Sequence, residues 1–121
     1  MSRGISIHAM DVARGVVAEG MRVEVYALRP ARRLISGGTI GADALLAHPA
    51  LDAVFDPGPY EVVFHVADYY RASGVALPAV PFVDAVTYRF GLADPARHYH
   101  FPFKMTPWGF SLFVTWSGGP P

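Results

Sequence analysis

The sequence predicts an all-β protein, a two-sheet sandwich of seven to eight strands with one short helix. Three features of the chain support this prediction. Glycine and proline, 12 and 11 of the 121 residues, interrupt the chain every few residues and favour short strands and turns over long helices. Most apolar segments alternate with polar residues at a period of two, as half-buried strands do. We find no internal repeat or linker, so we expect one domain over residues 1–121.

Six segments carry the strand pattern. Alternation along the chain predicts the first two, residues 5–10 and 21–28. β-Branched and aromatic residues predict the next two, 59–66 and 85–90. The last two, 98–105 and 110–116, carry large apolar side chains on both faces. A strand of that kind is covered on both sides, so a second subunit is expected to provide one cover.

One segment, residues 67–73, lacks the alternation and ends at Gly74, which predicts a short helix with a glycine stop. Two stretches around it predict irregular structure. A tight turn is expected over residues 56–59, where the sequence reads Asp-Pro-Gly-Pro. A proline-rich loop is expected over residues 75–81.

The charge balance excludes several classes of protein. Ten basic and ten acidic residues give a net charge of zero, whereas nucleic-acid binders normally carry a basic surplus. Absence of net charge also removes self-repulsion and permits self-association. The sequence has no cysteine, no secretory signal pattern and no apolar stretch of about eighteen residues. We therefore expect a cytoplasmic protein with no nucleic-acid or membrane partner.

Three of the five histidines stand out. His98 and His100 lie two residues apart, so a strand presents both on one face, and His8 or an acidic residue is a possible third metal ligand. Because no acidic residue has a telling spacing to them, ordinary strand histidines are favoured, and we expect no metal and no cofactor. His65 is interpreted as structural and His48 as an exposed loop residue. No G-x-S-x-G pattern supports a serine nucleophile.

Several segments resemble one known family. IHAMD at residues 7–11, with Gly15 and Ala18, resembles the H-V-L-D…G-x-P-A opening of 5-hydroxyisourate hydrolases, the enzyme branch of the transthyretin family. HYHFP at 98–102 and TPWGFS at 106–111 resemble that family's H-Y-H-V-P-L-L-L-S-P-x-G-Y-S signature. Residues 60–70 and 81–95 are similar to its T-Y-E-L-x-F-x-V-x-x-Y-F and P-F-L-D…V…R-F-x-V-x-D-P patterns. The resemblance covers roughly residues 5 to 113.

The resemblance implies a fold and an activity. Family members are two-sheet sandwiches with one short helix that form homotetramers, dimers of dimers whose active sites line the channel between them. They hydrolyse 5-hydroxyisourate, the product of urate oxidation. By resemblance, His8 and His100 are the catalytic histidines, and Ser111 and Phe113 lie at substrate-binding positions. A neutral imidazole can take a proton from water near pH 7 while a second one orients or donates.

The sequence departs from the family at two places. The family has a catalytic arginine in a Gly-Arg pair after the third strand, but Ala42 follows Gly41 here. The family also ends in Y-R-G-S, where this chain has Phe-Val-Thr-Trp at 113–116 and continues to Pro121. A guanidinium supplies a fixed charge and forked donors that alanine does not.

Lys104, the only lysine, is a candidate substitute for the missing charge. Counting in twos from His100 through Pro102 places it on the face that lines the channel by resemblance. It could bind an anionic substrate, act as a base or act as an amine nucleophile. Alternatively, it extends into a wet channel without a special role.

Three functions therefore stay open. The first is a hydrolase that opens the lactam of 5-hydroxyisourate in urate degradation. The second is a diverged enzyme of the same scaffold that acts on another small cyclic compound, which the lost arginine and Lys104 favour. The third is a small-molecule carrier, and retention of His8 and His100 counts against it because a carrier does not need that pair.

Overall fold

The structure, a computed structural model, describes residues 4–53 and 55–118. Over these residues the chain forms nine strands, one α-helix and one 3₁₀ turn. In chain order they are β1 (Gly4–Asp11), β2 (Val16–Val17), β3 (Arg22–Ala27), β4 (Arg33–Thr39), the 3₁₀ turn (Pro49–Asp52), β5 (Gly58–His65), α1 (Val66–Ala72), β6 (Ala85–Leu92), β7 (Arg97–Thr106), β8 (Gly109–Leu112) and β9 (Thr115–Gly118). The predicted all-β class with one short helix is confirmed.

The strands form two sheets. The four-stranded sheet has the order β4-β3-β5-β6, and the five-stranded sheet has the order β2-β1-β7-β8, with β9 also paired to β7. β8 pairs with residues 103–106 of β7 and β9 with residues 97–100, so the two short strands share one long neighbour. β1 and β7 run parallel over eight residue pairs. This parallel pair aligns the opening motif at residues 7–11 with the late motif that begins at residue 98.

The core lies between the sheets and follows from the period of two. Alternate side chains of β1, β3, β5 and β7 point inward and are buried. At its centre the rings of Phe64 and Phe103, one from each sheet, stack with centroids 3.9 Å apart, and neither residue is exposed. Burying an apolar side chain of this size stabilises the fold by roughly 1.5–3 kcal/mol, so this pair contributes to holding the two sheets together.

The helix begins directly after β5 and lies one residue from its predicted position. Asp68 in its first turn and Arg71 in its last complement the helix dipole. The chain leaves the helix at Gly74, whose φ of +80° suits a residue without a side chain. One side of the helix packs on the core; its buried residues are Val66, Ala67, Tyr69 and Tyr70.

Two details of the predicted strands are wrong. The single strand expected over residues 110–116 is broken at Phe113 and Val114, because β8 and β9 pair with different halves of β7. The six predicted segments also omit β2 and β4, and with the divided last segment nine strands are present in the described ranges. β4 contains Gly37 and Gly38, and because glycine has no side chain, this strand shows no alternation of apolar and polar residues.

The late aromatic residues are exposed in the single chain. Phe110, Phe113 and Trp116 are each more than half exposed. Coverage of this region by a second subunit stays a prediction.

Candidate functional site

The outward face of the five-stranded sheet carries the histidines. Ser6 and His8 project from it on β1, and His98, His100 and Lys104 project from β7, while the residues between them point into the core. The parallel register sets Ser6 beside His100 and His8 beside Pro102. The two segments therefore bring their polar side chains to one surface.

His8 and His100, the two histidines singled out by the family resemblance, lie close together. Their ring centroids are 6.2 Å apart and the ring planes are tilted by 51°. Both residues are half-buried, so water reaches this pair. Two imidazoles at this separation can act on one small molecule held between them.

A serine connects two of the histidines. Ser6 Oγ lies 2.6 Å from Nδ1 of His100 and 2.8 Å from Nε2 of His98. The two histidines considered above as a metal pair thus share a hydroxyl instead. Sequence reasoning missed Ser6, although its position two residues before His8 places it on the same face of the strand.

The surroundings of His100 favour its neutral form. Burial, and then the neighbouring His8 and His98, lower the pKa of His100 below its ordinary value of 6.5. A low dielectric and nearby like charges both oppose formation of an imidazolium. His100 is therefore neutral near pH 7 and able to accept a proton.

A cavity of about 520 Å³ opens beside this cluster. Ser6 and His98 form one wall. The remaining lining comes from Ile5 of β1 and from the chain after β4; these residues are Asp43, Leu45, Leu46, Ala47, His48, Pro49, Leu51 and Asp52. The volume suits a small heterocycle, since ligand pockets usually span about 300–1,000 Å³.

The chain after β4 runs beside β1 and forms the rim next to His8. Ala9 N donates to Ala44 O at 2.9 Å, and Leu46 N donates to Ile7 O at 3.1 Å. Leu45 is consequently the cross-strand neighbour of His8. This segment contains Gly41 and Ala42, the positions where the family has its Gly-Arg pair, so no guanidinium is supplied to His8 from here.

The other predicted site residues lie further along the face. Lys104 is exposed and lies four positions further along β7 than His100, a distance of roughly 13 Å along the strand. Ser111 is its partner on β8. Phe113 lies between β8 and β9, half exposed. Within the described residues none of these three lines the cavity beside Ser6, and neither do His8 and His100. The expectation that Lys104 shares a cavity with His100 therefore stays a prediction.

The opening motif also supplies a buried carboxylate. Asp11, three residues after His8, points to the opposite side of β1 and is fully buried. Arg14 Nε and Tyr70 Oη donate to it at 2.7 Å each, and Tyr69 Oη donates at 3.1 Å. Burial alone would raise the pKa of Asp11, but these hydrogen bonds hold it below its ordinary value. Asp11 thus ties the helix to β1 and does not face the site.

The remaining histidines have structural contacts. His65 Nε2 lies 2.7 Å from Glu24 Oε1 on the four-stranded sheet. His48 Nδ1 accepts from Ala50 N at 3.1 Å and caps the 3₁₀ turn. In residues 4–53 and 55–118, no group of three or more histidine or acidic side chains is arranged to hold a metal ion. No helix in that part of the chain is long and apolar enough to cross a membrane.

Comparison with known proteins identifies the family. Residues 5–114 match the HIUase/Transthyretin family. The chain is 39% identical over 111 residues to 5-hydroxyisourate hydrolase 2 of Rhizobium meliloti, covering 90% of this chain and 92% of that protein. It is 36% identical over 111 residues to the 5-hydroxyisourate hydrolase of Pseudomonas aeruginosa, covering 90% and 88%. The crystal structure of (S)-allantoin synthase superposes with a TM-score of 0.85 at 32% identity, over 93% of this chain and 43% of that chain.

These matches place the chain in the HIUase/Transthyretin family, a class that the sandwich and its outward histidines already fit. Within the family, its curated relatives carry the names of hydrolases, and the chain belongs with these enzymes. It spans less than half of the (S)-allantoin synthase chain.

Proposed function

We propose that the protein is a 5-hydroxyisourate hydrolase in which His100 activates water. The observation that carries the proposal is the convergence of His8 and His100 on an open sheet face, with His100 biased towards its neutral form. The names of the relatives supply the substrate. The catalytic roles of both histidines come from the family resemblance and from the chemistry of imidazole.

The reaction is a ring opening. His100 takes a proton from water, and the water oxygen bonds to the lactam carbonyl carbon. The bond between that carbon and the ring nitrogen then breaks, leaving a carboxylate, and the freed nitrogen takes up a proton. His8, 6.2 Å away between ring centroids, orients the substrate or donates that proton. The proton held by His100 replaces the one given to the ring nitrogen, and the second water proton leaves to solvent as the carboxylate forms, so no other reactant is needed.

The proposal includes an assembly. The outward face of the five-stranded sheet carries the histidines, Lys104, Ser111 and Phe113, and it is open in a single chain. In a homotetramer built as a dimer of dimers, a second copy covers this face and converts it into a channel. Lys104 and Ser111, which pair across β7 and β8, then contact substrate together with Phe113. We place this tetramer in the cytoplasm and in urate degradation.

The segment beside His8 favours a second candidate function. It holds Ala42 and Leu45 and brings no positive charge to the site, and the only lysine lies elsewhere on the face. A substrate with a different charge distribution from 5-hydroxyisourate would fit such a site. The alternative is thus an enzyme of the same scaffold that opens another small cyclic compound.

The test is the ultraviolet decay of freshly generated 5-hydroxyisourate with and without the protein. We expect the wild type to accelerate the decay and His100→Gln to lose about 10²–10⁴-fold of that acceleration. His65→Gln, on the other sheet, is the matched control and should keep full activity. Absence of acceleration by the pure wild type contradicts the first proposal. A thermal-shift screen of small heterocycles would then test the second, because ligands that bind only the folded state stabilise it.

A further inference from the structure

The hydroxyl of Ser6 lies between two imidazoles. Its oxygen is within hydrogen-bond distance of His100 Nδ1, at 2.6 Å, and of His98 Nε2, at 2.8 Å. Nε2 of His100 makes no hydrogen bond with any residue in the described parts of the chain. It is therefore the ring nitrogen left for water or substrate.

A hydroxyl has one proton to donate, so the two bonds are coupled. If Ser6 donates to His100 Nδ1, then His100 carries its proton on Nε2 and cannot act as a base there. If Ser6 instead donates to His98 Nε2, it accepts from His100 Nδ1–H, and Nε2 of His100 keeps its lone pair. Only the second arrangement suits a general base. When His98 Nε2 accepts the Ser6 proton, the serine can only accept from His100 Nδ1–H, so this tautomer of His98 fixes that of His100.

We propose that Ser6 and His98 are positioning residues that hold His100 in the Nδ1–H tautomer, with Nε2 directed towards the attacking water. The proposal deepens the proposed hydrolase function and rests on it for its catalytic meaning. When His100 accepts the proton, its Nδ1–H continues to donate to Ser6, and Ser6 continues to donate to His98. Neither of these two hydrogen bonds has to exchange its donor and acceptor during the proton transfer.

The hydrogen-bonded partners of His100 Nδ1 include no carboxylate, since Ser6 offers a hydroxyl and His98 an imidazole. A carboxylate on Nδ1 would stabilise the imidazolium and raise the pKa of His100, whereas its pKa is lowered. The titratable groups that face His100 are His8 on β1 and His98 on β7; β9 contributes Thr115, which does not titrate. Ser6 and His98 therefore orient the base without making it more basic.

The fold does not require these bonds for its own sake. The backbones of β1 and β7 are already joined over eight residue pairs, and their inward side chains lie in the core. Ser6, His98 and His100 are only half-buried on the outward face. Loss of the Ser6 hydroxyl should therefore alter the histidines more than it alters folding.

The direct test is long-range ¹H–¹⁵N NMR of the full chain labelled at histidine, with His100 assigned from its absence in His100→Gln. We expect the Nδ1–H tautomer in the wild type and in Ser6→Thr, and the Nε2–H tautomer, which free imidazole prefers, as the main form in Ser6→Ala. An Nε2–H tautomer in the wild type, or no change in Ser6→Ala, overturns the proposal. This readout does not depend on any substrate, so it separates failure of this proposal from failure of the hydrolase function.

Kinetics with 5-hydroxyisourate provide the second readout. Ser6→Ala should lower kcat about tenfold with little change in KM, and Ser6→Thr should restore it. Ser6→Ala combined with His98→Asn should be no slower than the slower single variant, because both residues act through His100. Thr87→Val, which removes a hydroxyl from the other sheet, is the control and should match the wild type. Equal activity of Ser6→Ala and the wild type overturns the proposal, as does full additivity of the two losses.

Discussion

Replacing Asp11 by alanine should destabilise the protein by about 3 kcal/mol. The carboxylate is fully buried and accepts from Tyr70 at 2.7 Å and from Tyr69 at 3.1 Å, and a buried bond to a charged group contributes about 1.5–3 kcal/mol. Two such bonds, taken at the lower limit, give about 3 kcal/mol. We use that limit because each tyrosine hydroxyl keeps one other partner, Met105 O at 3.3 Å for Tyr70 and Arg14 Nη2 at 2.9 Å for Tyr69. The bond from Arg14 to Asp11 adds little because the arginine is 39% exposed.

The assay is urea unfolding followed by circular dichroism at one fixed protein concentration, since self-association changes apparent stability. Tyr70→Phe is the companion variant and should cost about 1.5 kcal/mol. Asp11→Ala with Tyr70→Phe should be little worse than Asp11→Ala alone, because both remove the same bond. A cost below 1 kcal/mol for Asp11→Ala, or fully additive costs, would refute the reasoning.

The same carboxylate makes stability depend on pH. The pKa of Asp11 lies below its ordinary value of 3.8, so the ionised form is favoured in the folded state. Its contribution is present above pH 3.8 and is lost as the pH falls through the lower folded value. Asp11→Asn has no carboxylate at this position, so it should lack this pH-dependent contribution to stability. Its free energy of unfolding should therefore change less than that of the wild type as the pH falls below about 4.

Three further outcomes are expected. Phe103→Ala should cost about 3–5 kcal/mol in urea unfolding because it removes the ring stacked on Phe64; a cost under 1 kcal/mol would contradict the core described above. The rate of 5-hydroxyisourate decay should fall on acidification with a midpoint below pH 6.5, because the pKa of His100 is lowered from that value; a midpoint above 6.5 would contradict it. Lys104→Met should raise KM about tenfold because the substrate loses one ionic contact. Arg22→Met on the other sheet is the control and should leave KM unchanged. Equal effects of the two substitutions on KM would contradict a substrate-binding role for Lys104.

The strands with regular alternation could be predicted from the sequence because their burial is set by the period of two. β4 could not, since two adjacent glycines, Gly37 and Gly38, leave no side-chain pattern to read. The break at Phe113 and Val114 was also hidden, because it depends on which half of β7 each short strand joins. That choice is a property of the assembled sheet and not of the local sequence.

The site was predicted in part. His8 and His100 were singled out through motif resemblance. The parallel pairing of β1 and β7 that brings them together could not be predicted from local sequence patterns, because it joins distant segments. Ser6 was missed because one serine on a strand has no distinctive spacing; only its two short contacts reveal it. Lys104 lies on the outward face, as the count in twos from His100 predicts, and its role at the site stays a prediction.

The joining of β1 to β7 has a consequence for how the enzyme matures. Ser6 and its two imidazole partners are separated by 92 and 94 positions along the chain. During synthesis the first strand must wait for most of the polypeptide to emerge before it meets its neighbour, and such distant closure is slow. A shift of the β1–β7 register by one residue would point His8 into the core and the apolar side chains of β1 outward. A chain paired in this register would be both unstable and inactive.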